Sequence, residues 1–394
     1  MYVTTEQQLL ELCEALKDAE MLALDTEFVR EKTYFHRLGL IQVASDGVCA
    51  AIDPIAVPAL DPFLDLIRKP DVLKVFHAGR QDLEILNRLA GEALKPIFDT
   101  QVAGALLGWG AQISFARIVM KATGKKIHKG ETYTDWCRRP LSQSQIDYAL
   151  DDARYLIPVY NKVLRQLKKY DRMSWVQGEF EPLENPDNFK LPDPRKQFLR
   201  VKSLRGLKPV SLAALRELAA WREEEAIRRD CLPKAVVRDE SLLEIARKLP
   251  GKLDALAAIR GFHRKEVGKS GQAILEAIQR GKAVPEEAIP VLPDNEGHVT
   301  SRGVEELLSA FVQIRSEEMR IEPSILAQRK QVHDLVKCFD QKQDLEKHFL
   351  FQGWRREAIG TELLAFLNGE RGLAIDQNGQ VVTIPIHLPG SALA

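Results

Sequence analysis

Between Glu181 and Lys196 the chain places Pro182, Pro186, Pro192 and Pro194 among Asn, Asp and Lys. Each proline fixes φ and removes a backbone N–H, so the stretch reads as an extended linker closed to helix and central strand alike. The two sides differ in periodicity. Upstream, short apolar runs alternate with helical ones; downstream, the apolar spacing is helical throughout. The expectation is an α/β half followed by an all-α half. A chain of 394 residues is long enough for two or three cores.

In the first half, Thr5 and Gln8 form a capping box before Leu9, Leu10, Leu12, Cys13 and Leu16, which recur at helical spacing. Strand character follows over 21–28, 38–44 and 48–52, with brief connections carrying Gly39, Asp46 and Gly47. These suit an antiparallel meander. A strand over 72–76 turns at Ala78 and Gly79 into a helix bearing Leu83, Leu86 and Leu89, and a strand-like "KPIFDT" precedes helical residues 102–107. The sheet should therefore be mixed. The helical half contains a repeat: "GFHRKEVG" at 261–268 is echoed by "GWRREAIG" at 353–360, and "CLPKAVV" by "IEPSILA", with Pro233 and Pro323 in register. Two echoes in the same order indicate two copies of one helical domain.

Lysine plus arginine equals aspartate plus glutamate at 56 each, so any hold on a polyanion must be local. Basic residues do cluster: Arg195, Lys196, Arg200, Lys202, Arg205 and Lys208 occur without an acid among them, Arg264, Lys265 and Lys269 accompany the first repeat, and Lys125, Lys126 and Lys129 share a glycine-bearing loop. The five cysteines are scattered, with no C-x-x-C, which fits a reducing compartment. The N-terminus lacks the pattern of a secretory signal, and no apolar run reaches the roughly 18 residues of a membrane span. A cytoplasmic location is expected.

Three acidic features could carry chemistry. Asp25 and Glu27 end an apolar strand; at i and i+2 they share a face, roughly 6–7 Å apart along the chain. Such a pair is commonly a solvated strand end, but it also suits a divalent cation. Asp82 lies in the first turn of the helix after a strand, where an acid commonly complements the helix dipole. Tyr148 and Asp152 are i and i+4 on a helix, about 6 Å apart on one face, with Asp151 as a local rival. Each has an ordinary structural explanation when taken alone.

Together, in the order D-x-E, D, Y-x-x-x-D, they resemble the DEDDy 3′→5′ exonuclease superfamily and, within it, the ribonuclease D family. The run "DTEFVREKTYFHRLGLIQ" is similar to that family's first motif, "FHAGRQDL" to its second and "DWCRRPLSQSQIDYALDDARYL" to its third. His36 stands where the family usually has proline. The helical repeats resemble HRDC domains, nucleic-acid-binding modules also present in RecQ-type helicases. The resemblance implies a ribonuclease H-like exonuclease domain over 1–180, a Pro-rich and basic linker over 181–203, an HRDC domain over 204–283, an HRDC-like copy over 298–374 and a C-terminal tail over 375–394.

It also implies two divalent cations, magnesium or manganese, about 4 Å apart on the scissile phosphate. Asp25 would bridge both; Glu27 and Asp152 would complete the nucleophile-side ion; Asp82 would hold the other, through water. Tyr148 would orient the attacking water, since an unperturbed phenol titrates at ~10 and is a poor base at neutral pH. Thr26, Phe28 and His77 are candidate substrate-binding residues. The implied activity is release of 5′-mononucleotides from RNA 3′ ends, with tRNA precursors as substrates and the HRDC domains assisting nucleic-acid binding. A DNA exonuclease of the same superfamily and a non-catalytic RNA-binding scaffold are the competing readings. Asp99, which ends a strand and begins a helix, is expected to be an N-cap, and His128 and His263 surface residues.

Overall fold

The computed structural model describes residues 1–127, 134–262, 264–292 and 302–386. His128, Lys129 and His263 lie outside these residues, as does the Arg264 side chain. The described chain separates into two compact units that are not linear in sequence. One contains Met1–Glu27, Leu38–Phe189 and the residues from Glu296 onward; the other contains Phe28–Arg37 and Lys190–Asn295.

The first unit is built on six strands: β1 (Tyr2–Val3), β2 (Met21–Val29), β3 (Arg37–Ser45), β4 (Val48–Ile52), β5 (Leu73–Phe76) and β6 (Ile97–Asp99), ordered β1-β4-β3-β2-β5-β6. β3 and β4 pair antiparallel, whereas β1 pairs with β4, and β5 with both β2 and β6, in parallel. The sheet is mixed, as expected. Helices α1 (Glu6–Ala15), α2 (Asp61–Arg68), α3 (Arg80–Ala90), α4 (Thr100–Ala105), α5 (Phe115–Thr123), α6 (Gln143–Lys169) and α7 (Met173–Glu184) complete the domain. Leu9, Leu12, Phe63, Ile67, Leu83, Leu86, Val159 and Val163 bury their apolar faces in one core with Leu22, Ala23 and Leu24 of β2. A strand flanked on both edges and covered on both faces reads as a continuous apolar run, which is why Leu22–Leu24 do not alternate. At α1, Thr5 accepts from the Gln8 N–H as expected, but the Gln8 side chain returns to the N–H of Thr4 rather than that of the cap.

The proline-rich stretch corrects the expectation of an extended linker. α7 runs through Pro182 to Glu184, and 3₁₀ turns occupy Pro186–Phe189 and Pro194–Arg200. Pro182 removes only the hydrogen bond to the Gly178 carbonyl, and the helix ends within the next turn, where lost pairing is least costly.

The last part of the chain in this unit is helical, with Arg302–Met319, Pro323–Leu326, Arg329–Asp340 and Thr361–Leu367 around Leu308, Leu335 and Ile359. It is fastened to the sheet domain. Arg172 donates to the carbonyls of Leu106, Met319 and Arg320, the Trp175 and Trp354 rings stack at 4.6 Å, and Arg355 pairs with Glu179 at 2.6 Å. Expected to be helical throughout, this half also closes with a hairpin, β7 (Arg371–Ile375) against β8 (Val381–Pro385). The Asn378-Gly379 turn was its available sequence signal.

In the second unit, helix Pro209–Arg228 packs against Arg264–Lys282 and Asp239–Lys248 around Leu215, Leu218, Ile245, Ile274 and Ile278. A Cβ on Gly281 would come within 2.3 Å of the Ala214 Cα, so glycine is what lets the two long helices approach. Tyr34 joins this core; its hydroxyl donates to Glu223 at 2.5 Å, and Asp230 accepts from the Tyr34 and Phe35 N–H groups. The repeat has a structural counterpart: Pro233 and Pro323 each open a four-residue helix, and Gly261 and Gly353 both have positive φ, at 79° and 51°. The shared glycine is there because left-handed backbone excludes most side chains.

Candidate metal-binding active site

β2 carries Asp25 and Glu27 on one face just beyond its buried segment. α6 brings Asp152 to them. Ligand oxygens from Asp25, Glu27 and Asp152 lie within 4.8 Å of one another. The position of α6 is set upstream: Ser142 and Gln145 form a capping box, and Arg139 spans Asp53 with two bonds of 2.6 and 2.7 Å while also donating to the Gly39 and Trp136 carbonyls. Trp136 in turn stacks on Tyr148 with centroids 6.3 Å apart. The rival acid Asp151 pairs with Arg154 on the exposed side of α6.

Asp82 approaches from α3 and is buried. It accepts the Thr26 N–H at 3.1 Å and the Thr26 hydroxyl. Thr26, between the two β2 acids, points to the opposite face of the strand and ties β2 to α3. The turn into α3 is organised by Asp99, which accepts from the Ala78 and Gly79 N–H groups at 3.1 and 2.9 Å and caps α4 through Gln101 and Val102. Asp99 is thus the expected N-cap and also braces the element bearing Asp82. This second role required knowing that β5 and β6 are neighbours, which the local sequence does not state.

Among the described residues, the electrostatics are those of neighbouring anions that repel one another. Asp25 is held well above the usual carboxylate range by burial and then by the charges of Asp82, Asp152 and Glu27. Glu27 is pushed up to about 8 by burial, then by Asp152 and Asp82. Asp152 rises to about 7 through burial and the charge of Asp151, against the lowering hydrogen bond from Tyr148. Asp82 rises to about 6 through burial, opposed by Thr26. Burial and the neighbouring acids likewise raise the Tyr148 phenol. Half-buried carboxylates at this separation repel strongly, and a hard divalent cation with oxygen ligands relieves that repulsion. The donor set therefore fits magnesium or manganese.

Of the candidate substrate residues, Thr26 uses its hydroxyl on Asp82. His77 has both ring nitrogens engaged, with Thr100 Oγ1 at 2.9 Å and the Ile113 carbonyl at 3.0 Å, which leaves its ring face. Phe28 stands edge-on to His36 at 4.7 Å. Trp136 escaped the sequence reading, since its place beside Tyr148 comes from the fold.

A mixed sheet presenting a D-x-E pair, a helix-borne Asp and a Tyr/Asp pair defines a metal-dependent 3′→5′ exonuclease. Residues 1–168 match the family described as 3′-5′ exonuclease, and residues 211–278 the HRDC domain family. Ribonuclease D of Gluconacetobacter diazotrophicus is 38% identical over 378 residues, covering 95% of this chain and 94% of that protein. Ribonuclease D of Zymomonas mobilis is 33% identical over 388 residues, covering 97% of each. The crystal structure of Escherichia coli RNase D matches with a TM-score of 0.82 at 30% identity, covering 94% of this chain and 98% of that one. The chain belongs to the ribonuclease D family and is a hydrolytic 3′→5′ exoribonuclease with an HRDC domain. Among the described residues, no helix is long and apolar enough to cross a membrane.

Proposed function

We propose that Asp25, Glu27, Asp82 and Asp152 hold two divalent cations, magnesium or manganese, and that the enzyme trims the 3′ ends of tRNA precursors one 5′-mononucleotide at a time. The observation that carries this reading is the convergence of Asp25, Glu27 and Asp152 within 4.8 Å. When bound, such a pair of ions supplies Lewis-acid stabilisation of the phosphoryl group and a nucleophilic water at neutral pH.

The chain's own residues do the rest. Thr26 fixes the Asp82 carboxylate, and Arg139 and the Ser142 cap fix α6, so that the acids are positioned before ions or substrate arrive. Tyr148, with its phenol raised, stays protonated and orients the attacking water as a hydrogen-bond partner rather than removing its proton. The His77 ring face contacts the terminal nucleotide. The HRDC domain, together with an HRDC-like second copy before the C-terminal hairpin, supplies distributed contacts to RNA. The Escherichia coli relative is described as an exoribonuclease involved in structured RNA processing, which supports a folded RNA with a single-stranded 3′ extension as substrate. A cytoplasmic setting accords with five cysteines that are all free.

Metal-titrated digestion of a tRNA with an extended 3′ end, beside matched single-stranded RNA and DNA oligomers, tests the reading. Stepwise shortening that halts near the mature end and depends on magnesium or manganese is expected. Preference for DNA would overturn the RNA assignment, and metal-independent binding without shortening would leave only a scaffold.

A further inference from the structure

The sheet domain carries a second feature that the acids do not use. Residues following α4, together with α5, line a cleft of about 850 Å³, within the ~300–1,000 Å³ range of ligand sites. Its wall combines Trp109, Ile113 and Met120 with Arg117, Lys121 and Lys126, and among the described residues no carboxylate lines it. The three basic residues are exposed and Trp109 is half-buried. Among the described residues none of the three cations forms an ion pair, and the Lys121 ammonium lies 5.5 Å from the centroid of the Trp109 ring. An ordinary solvated helix face interleaves both signs of charge, whereas α5, "FARIVMKAT", contains no acid.

The cleft is tied to the acidic centre. β2 and β5 pair in parallel with Ala23 opposite Val75; Asp25 lies two residues further along β2, and His77 follows the last residue of β5. His77 binds the Ile113 carbonyl at 3.0 Å, and its ring is 5.4 Å from that of Phe115. His77, at the end of the strand that neighbours β2, thereby anchors the wall of the cleft.

We infer that this cleft is a subsite for single-stranded RNA upstream of the scissile bond, with a base stacked on Trp109 and the flanking phosphates on Arg117, Lys121 and Lys126. Flat rings with stacking π-faces, joined by anionic links, match an aromatic surface bordered by unpaired cations. This assignment rests on the exonuclease reading, because only a strand whose 3′ end occupies the acids presents its upstream nucleotides here.

The test is fluorescence anisotropy of a labelled uridine decamer and a uridine dinucleotide in EDTA, followed by turnover of both in magnesium. The variants are Trp109→Leu, Trp109→Phe and the combined Arg117→Gln, Lys121→Gln and Lys126→Gln. Trp109→Leu should weaken decamer binding about tenfold and Trp109→Phe should largely restore it, as expected for a stacking surface. The glutamine variant, altered only at exposed positions, should lower the log–log salt slope by about 2, at ~0.7 per lost contact. Dinucleotide binding and kcat should not change. Equal losses for both lengths, or none for the decamer, would overturn the subsite. Cleft-dependent binding without shortening in magnesium would strike the exonuclease reading alone.

Discussion

Replacing Glu27 with glutamine should make the metal-free protein more stable and the enzyme less active. In the fold Glu27 titrates at about 8 against an ordinary 4.5, because burial and the charges of Asp152 and Asp82 oppose its ionisation. A raised carboxylate value means that the folded state keeps its proton after the unfolded chain has lost it. Stability is therefore full below the unfolded value, falls as pH climbs from about 4.5, and levels off above about 8. At ~1.36 kcal/mol per pH unit, the accumulated loss at pH 8 is roughly 4 kcal/mol, a figure that belongs to the interacting cluster as a whole. Denaturant unfolding of metal-depleted protein at pH 5 and pH 8 reads this directly. The wild type should lose stability between the two and Glu27→Gln much less, so that the variant is the more stable at pH 8. Magnesium should restore the wild type and do little for the variant. A wild type that is flat across this range without metal, or a variant no more stable at pH 8, would refute the mutual repulsion on which the metal reading depends.

Tyr148→Phe keeps the ring against Trp136 and removes only the hydroxyl; kcat should fall about a hundredfold, in the ordinary range for a positioned proton-handling group, with metal half-saturation unchanged in single-turnover assays. Thr26→Val removes the hydroxyl from Asp82. Stability should drop by about 1 kcal/mol, and the metal concentration for half-maximal rate should rise. Gly39→Ala would set a Cβ 2.5 Å from the Trp136 carbonyl oxygen, a backbone atom with little room to yield. Thermal denaturation should report a loss of about 2 kcal/mol, and activity should fall with it because Trp136 supports Tyr148.

The parts legible in the sequence were those with local signatures. β2 to β4 announced themselves through apolar runs bounded by Gly and Asp, and the spacings D-x-E and Y-x-x-x-D place side chains on one face of a strand or helix whatever surrounds them. The convergence of Asp25 with Asp152 depends on which face of the sheet α6 covers, a tertiary fact that no window of sequence contains. Asp99 shows the difference within one residue: its capping of α4 is local and was expected, while its hold on Ala78 and Gly79 depends on strand order. The prolines point away from helix through φ restriction alone, whereas Pro182 sits in a final turn that can lose a hydrogen bond. The grouping of Phe28–Arg37 with the HRDC unit rests on Tyr34 reaching Glu223, a contact between residues far apart in the chain.

On the proposed mechanism, the acids of β2, α3 and α6 gather divalent cations where an RNA 3′ end is cut. Anomalous scattering from manganese-soaked crystals of the full-length chain addresses it directly. The expected result is density bounded by the Asp25, Glu27 and Asp152 carboxylates, with a second peak toward Asp82, both lost in Asp25→Asn. Full ribonuclease activity at a manganese concentration that leaves no density among these side chains would contradict it.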